Sequence, residues 1–313
     1  KGFSTAAHED SPRMITSSAD ATHFVNCKGT VTLEDCRFES MLDDATNIHG
    51  IYMLVDTLLT PYIVRASFGH FQQEGNHFAE TGDMMRFVDK ATLKPVGQGR
   101  LVSIDRSDRK SYLIETEFDA SGVDAPSGLA IENISCDASA VVRGCTVQYN
   151  RARSLLLSTR GDVLVEDCTF RSQMSGINVS GDANFWFESG PVRNVVIRNN
   201  RFEDLAIGGN GPMPALLIDP VIPVKGNDFF YHDRIVFSGN TVSSFDSQLV
   251  YARSVRAIEI SGNKFIDSGN YKPLFPGLSV IDLQSCGDVK ITGNDFSLWK
   301  TDATISLHNC LNV

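Results

Sequence analysis

The stretch MLDDATNIHG, Met41 to Gly50, sets Asp43 and Asp44 side by side and follows them with Asn47 and His49. Upstream, SSADATHF contains Asp20-Ala21-Thr22, an echo of Asp44-Ala45-Thr46. Carboxyl groups held close together repel, so at least one of them keeps its proton more tightly than a free aspartate. A protonated acid beside an ionised carboxylate is the pair that glycoside hydrolysis needs. A lone Asp in such a segment would more often satisfy turn amides. A trio accompanied by Asn47 and His49 points instead to chemistry.

Such a trio works only if the fold stacks two segments of the chain, and the repeats supply that fold. Seven segments share one shape: TVTLEDCRF from Thr30, AVVRGCTV from Ala140, DVLVEDCTF from Asp162, NVVIRNNRF from Asn194, RIVFSGNTV from Arg234, AIEISGNKF from Ala257 and DVKITGNDF from Asp288. Alternating apolar positions mark strands with one buried face. The residue closing the polar pair is Cys36, Cys145, Cys168, Asn200, Asn240, Asn263 or Asn294, at successive spacings of 109, 23, 32, 40, 23 and 31. About 23 residues is one short rung of a parallel β-helix, and longer spacings are rungs with inserted loops. Asparagines recurring at one rung position would hydrogen-bond up and down a buried turn. The cysteines read as a column of buried thiols, with a disulfide between neighbours as the alternative.

The predicted fold is therefore all-β: a right-handed parallel β-helix, a pectate-lyase-like solenoid of roughly seven to nine rungs. The spacing of 109 is too long for one rung. Residues 51–133 have strands of varied length without ladder signals, which predicts a small antiparallel β-barrel inserted between β-helix segments 1–50 and 134–313. Asp43 follows Asp20 by 23 residues, which would place the two at equivalent positions on adjacent rungs. Counting on from the ladder cysteines puts Arg153 and Asn178 near the same surface, and a loop in the next rung carries Trp186. Planar polar side chains and an aromatic platform suit a hydroxyl-rich sugar. Asn47, His49, Arg153, Asn178 and Trp186 are accordingly candidate substrate contacts. The bland alternatives are a solvated charge for Arg153 and core packing for Trp186 and His49.

The totals narrow the partners. The net charge of −10 argues against nucleic acid. No apolar run is long enough to span a membrane as a helix. Seven cysteines without CxxC spacing, and histidines 8, 23 and 49 without ligand spacing, argue against a metal. No cofactor is expected.

The run from Arg13 to Tyr52, above all DDATNIHG, resembles glycoside hydrolase family 110, the exo-acting α-1,3-galactosidases. The resemblance implies a β-helix bearing β-barrels, and a secreted or periplasmic enzyme acting on galactose-terminated glycans. It implies that Asp20, Asp43 and Asp44 supply the acid and base of an inverting hydrolysis, with carboxyl groups about 6.5–9.5 Å apart. Two other classes share the predicted fold: a polysaccharide lyase with calcium-binding aspartates and an arginine base such as Arg153, and a non-catalytic, carbohydrate-binding β-helix.

Overall fold

The computed structural model describes residues 1–123, 126–209, 211–224, 229–299 and 302–313. It is a parallel β-helix of three faces. One face stacks strands Thr30–Glu34, Ser139–Arg143, Asp162–Glu166, Asn194–Arg198, His232–Ser238, Val255–Ser261 and Val289–Thr292. A second runs from Ser4–Thr5 through Arg37–Glu39 to Asp295–Leu298. The third, which carries the candidate site, begins with Thr22–Val25 and Thr46–His49 and continues through Leu155–Ser158, Ile177–Val179 and Leu216–Ile218. Seven complete rungs result among the described residues.

The ladder residues sit at the corner between the first two faces. The residue before each one takes a left-handed backbone, at Asp35, Gly144, Asp167, Asn199, Gly239, Gly262 and Gly293. That conformation explains why Gly, Asn and Asp recur there. The corner turns the next side chain inward. Asn240 Oδ1 accepts the Asn200 N–H at 2.9 Å, and its Nδ2 donates to the Ile197 carbonyl at 3.0 Å. Asn263 repeats the pattern one rung on. Cys36, Cys145 and Cys168 continue the column as buried free thiols, with the Cys145 N–H donating to Cys168 Sγ at 3.3 Å. The apolar residue two places on builds the core: Phe170 and Phe202 pack at 5.2 Å between ring centroids, and Phe237, from strand His232–Ser238, meets Phe202 at 5.7 Å. Asn240→Ala leaves a buried N–H and a buried carbonyl unpaired, each costing about 1–3 kcal/mol. A loss of about 3 kcal/mol is expected, read as a lowered denaturation midpoint.

Strand Thr46–Thr60 belongs to two structures at once. Its first residues lie in the β-helix between Thr22–Val25 and Leu155–Ser158. From Tyr52 on it pairs with Ile63–Phe68 and Leu129–Asn133 in an antiparallel barrel completed by Met84–Asp89, Pro95–Arg106 and Ser111–Thr116. The ring closes because Leu129–Asn133 pairs with both Tyr52–Leu54 and Met84–Asp89. Met53, Phe68, Phe87 and Ile131 are fully buried inside it. Tyr52, Ala130, Phe187 and Tyr231 pack between barrel and β-helix. A buried ion pair of Arg160 with Glu132 ties the same two parts together. Orientation of the barrel against the third face is thereby fixed, and this matters because a loop wedged between them completes the site.

Candidate functional site

The DAT repeat has a structural cause. Thr22 aligns with Thr46 and Ser17 bridges Met41, so this rung is 24 residues long. The Thr22 and Thr46 hydroxyls stack at 2.9 Å, and Ala21 and Ala45 pack on the core. Asp20 therefore stands beneath Asp44, not beneath Asp43 as the 23-residue spacing predicts. The Asp44 N–H donates to Asp20 Oδ1 at 3.0 Å. Asp43 is the additional carboxylate, inserted in the turn before the strand. One oxygen from each of the three lies within 4.8 Å of the others. These nearest oxygens are closer than the roughly 6.5–9.5 Å expected between the carboxyl groups of an acid and a base; Asp20 and Asp44 are direct neighbours across rungs that stack about 4.8 Å apart.

The three groups have different surroundings. Asp44 is almost fully buried; its Oδ1 accepts the Arg153 N–H at 2.8 Å and its Oδ2 accepts from Arg153 Nη2 at 2.6 Å. Burial pushes its pKa up to about 7, against the pull of Arg153. Asp43 is half-buried, and its pKa is raised by burial and by the charge of Asp20, with Arg153 and Arg151 opposing. Among the described residues no ion pair holds it. Buried Asn150 pins the turn, donating to the carbonyls of Arg153 at 2.7 Å and Asp43 at 3.3 Å. Arg153 is thus committed to Asp44, and its backbone and guanidinium both act on that carboxylate.

On the strand itself, alternation sends residues 47 and 49 outward. Asn47 aligns with His23 below and with Leu156 and then Asn178 above, so Asn178 shares the outward column two strands further on. Its Oδ1 and that of Asn47 are buried without a hydrogen-bond partner. His49 departs from the expected sugar contact. It is 5% exposed, with Nδ1 on the Gly50 carbonyl at 2.6 Å and Nε2 on His23 Nε2 at 2.7 Å. Both nitrogens are taken, and neither can meet a hydroxyl. The half-exposed histidine is His23, whose Nδ1 lies 3.1 Å from Asp20 Oδ2. Burial pulls its pKa down, but the hydrogen bond and charge of Asp20 win and raise it.

A further carboxylate arrives from far along the chain. Glu188–Ser189 pairs antiparallel with Gly50–Ile51, and Glu188 Oε1 accepts from Asn47 Nδ2 at 3.0 Å. The Asp182 carboxylate shapes the approach by accepting the N–H groups of Asn184, Phe185 and Trp186. A Cβ on Gly50 would meet Ser189 Oγ at 2.5 Å and the Ser189 carbonyl oxygen at 3.3 Å, so glycine eases this close pairing. Trp186 belongs to the same loop, but its ring packs on His70 of the barrel and on Phe185, at 4.9 and 5.0 Å between centroids. It is half-exposed beside the site, and among the described residues its ring makes no hydrogen bond to Asp20, Asp43 or Asp44. His23 and Glu188 are the residues that sequence reasoning missed. The 24-residue offset from Asn47 marks His23; nothing local marks Glu188.

Two donor clusters are close enough to be weighed for a cation. In the first, Asp20 and Asp44 already accept from His23, from an N–H and from Arg153. In the second, His23, His49 and Glu188, the nitrogens are 2.7 Å apart. Two nitrogens on one tetrahedral zinc would be roughly 3.3 Å apart, from bonds of about 2.0–2.1 Å. The spacing is that of a hydrogen bond.

Against this geometry, residues 63–121 match the family described as GLAA-B beta-barrel domain II, and residues 127–211 match a right-handed beta helix region. The fold is thus a right-handed β-helix with an inserted barrel of that type. Over 285 residues the chain is 32% identical to alpha-1,3-galactosidase B of Bacteroides thetaiotaomicron, covering 90% of this chain and 46% of that protein. It is 31% identical over 307 residues to alpha-1,3-galactosidase B of Bacteroides fragilis, covering 93% and 52%. To alpha-1,3-galactosidase A of the same organism it is 29% identical over 298 residues, covering 93% and 48%. The chain spans about half the length of the curated relatives it matches.

Proposed function

We propose that the chain carries the active site of an exo-acting glycoside hydrolase that removes terminal α-1,3-linked galactose with inversion, as in glycoside hydrolase family 110. The observation that carries this is the trio Asp20, Asp43 and Asp44 gathered within 4.8 Å in three different environments. Asp43 is the accessible carboxyl group with a raised pKa, which suits a general acid reaching the glycosidic oxygen. Asp20 and Asp44 have both oxygens engaged by donors, which suits holding and deprotonating a water rather than attacking carbon. Asn47, Asn178 and Glu188 offer the hydroxyl contacts beside them, and the half-exposed Trp186 the apolar platform. The relatives named alpha-1,3-galactosidase supply the substrate class. A lyase is less well supported, because Arg153, the base it would use, is charge-paired with Asp44.

One observation favours a second reading, retention. Carboxyl groups about 5–5.5 Å apart are the spacing of a double displacement, and the trio is closer to that than to 6.5–9.5 Å. A single experiment addresses both. A disaccharide ending in α-1,3-galactose is incubated with the protein and the released sugar followed by proton NMR before mutarotation. β-Galactose as first product supports inversion. α-Galactose would mean retention, and no release would refute the galactosidase reading.

A further inference from the structure

The hydrogen-bond chain leading away from Asp20 determines where its protons sit. A carbonyl only accepts, so the 2.6 Å contact with the Gly50 oxygen requires His49 to carry its hydrogen on Nδ1. His49 is buried and its pKa is lowered mainly by that burial, so it is neutral and its Nε2 holds a lone pair. The 2.7 Å contact between the two Nε2 atoms then needs a hydrogen on His23. With that hydrogen placed, His23 Nδ1 and Asp20 Oδ2, 3.1 Å apart, bond only if one more proton lies between them.

We propose that His23 is a positioning residue: held as an imidazolium between His49 and Asp20, it keeps Asp20 a carboxylate of fixed orientation, on the base side of the site. The alternative, a protonated Asp20 facing a neutral ring, is opposed by the surroundings. Asp20 Oδ1 already accepts the Asp44 N–H, which favours the charged form. Around His23 stand the carboxylates of Asp20, Asp44 and Glu188, with Asp43 next to Asp20. The cations facing them are Arg153, which is paired to Asp44, and Arg151, which acts on Asp43. A positive ring is the arrangement that balances this negative group. Loss of the Nδ1 proton at alkaline pH would set two acceptors face to face and release Asp20.

The kinetic consequence rests on the hydrolase reading, but the proton positions do not, so the test separates the two. Protein labelled with nitrogen-15 histidine is examined by NMR without substrate, with His23→Gln and His49→Gln spectra assigning the two rings. His49 is expected to be neutral at pH 7, with its proton on Nδ1. His23 is expected to be doubly protonated at pH 7, titrating above the ordinary value of about 6.5. Asp20→Asn should lower the His23 midpoint by about one unit or more. A His49 proton on Nε2, a neutral His23 at pH 6, or an unmoved midpoint in Asp20→Asn would overturn the proposal. Where galactosidase activity is present, His23→Gln should also move the acidic limb of kcat/KM to higher pH by about one unit. An unchanged profile would likewise count against the positioning role.

Discussion

Asp43→Asn is expected to lower kcat/KM on an unactivated α-1,3-galactoside by about 10²–10⁴-fold, the usual contribution of a positioned general acid. The same variant should lose much less on an aryl α-galactoside whose leaving group has a low pKa, because that bond breaks without protonation. Asp20→Asn and Asp44→Asn should lose comparable activity on the natural linkage and regain little on the aryl substrate, since the proposed proton donor, Asp43, is intact in both. The distinction follows from surroundings. Asp43 is half-buried with no ion pair among the described residues, whereas Asp44 is wrapped by Arg153 and Asp20 by His23 and the Asp44 N–H. Stability of each variant is checked by thermal unfolding, so that lost activity is not lost fold. Near-normal turnover in both Asp43→Asn and Asp44→Asn would sink the mechanism. Selective rescue of Asp44→Asn, in place of Asp43→Asn, would reverse the acid and base.

Much of this arrangement can be read from the sequence because a β-helix repeats its environment. Each rung offers one buried corner, and a corner that needs an inward amide selects Asn200, Asn240, Asn263 and Asn294 at one register. The barrel is legible as a long interval without that corner. What cannot be read is the register at a particular turn, since loop lengths differ from rung to rung. The ladder spacing of 23 holds between Asn240 and Asn263, whereas Thr22 and Thr46 are 24 apart. One residue exchanges Asp43 for Asp44 as the partner of Asp20, and with it the whole electrostatic division of the trio. Direction is equally hidden. Alternation puts His49 outward, but the outward side there is covered by the barrel and the Glu188 loop, so His49 is interior and His23 is the half-exposed ring. Glu188 is 141 residues from Asn47, and only the closed fold brings them together.

Arg153→Met tests the electrostatics most directly. Desolvation raises the Asp44 pKa to about 7, and Arg153 is the first force opposing it. Without the guanidinium, Asp44 should hold its proton to higher pH, moving the acidic limb of kcat/KM upward by about 1–3 units. At pH 6 the variant should therefore lose about five to ten times more activity than at pH 8. Stability carries the opposite signature. Because the folded pKa of Asp44 lies above its unfolded value of about 3.9, the stability it contributes is fully present below that value and is lost as pH rises through about 7. Arg153→Met raises the folded value further, so the loss extends to more alkaline pH. There the variant must either bury an unpaired carboxylate, at a cost of about 3–5 kcal/mol, or keep the proton. Its thermal midpoint should accordingly fall further below wild type at pH 8 than at pH 5. The two measurements together separate charge from shape: Met retains most of the arginine's apolar stem, so an equal drop at both pH values, with an unshifted activity profile, would show that Arg153 only packs against the turn and does not set the charge of Asp44.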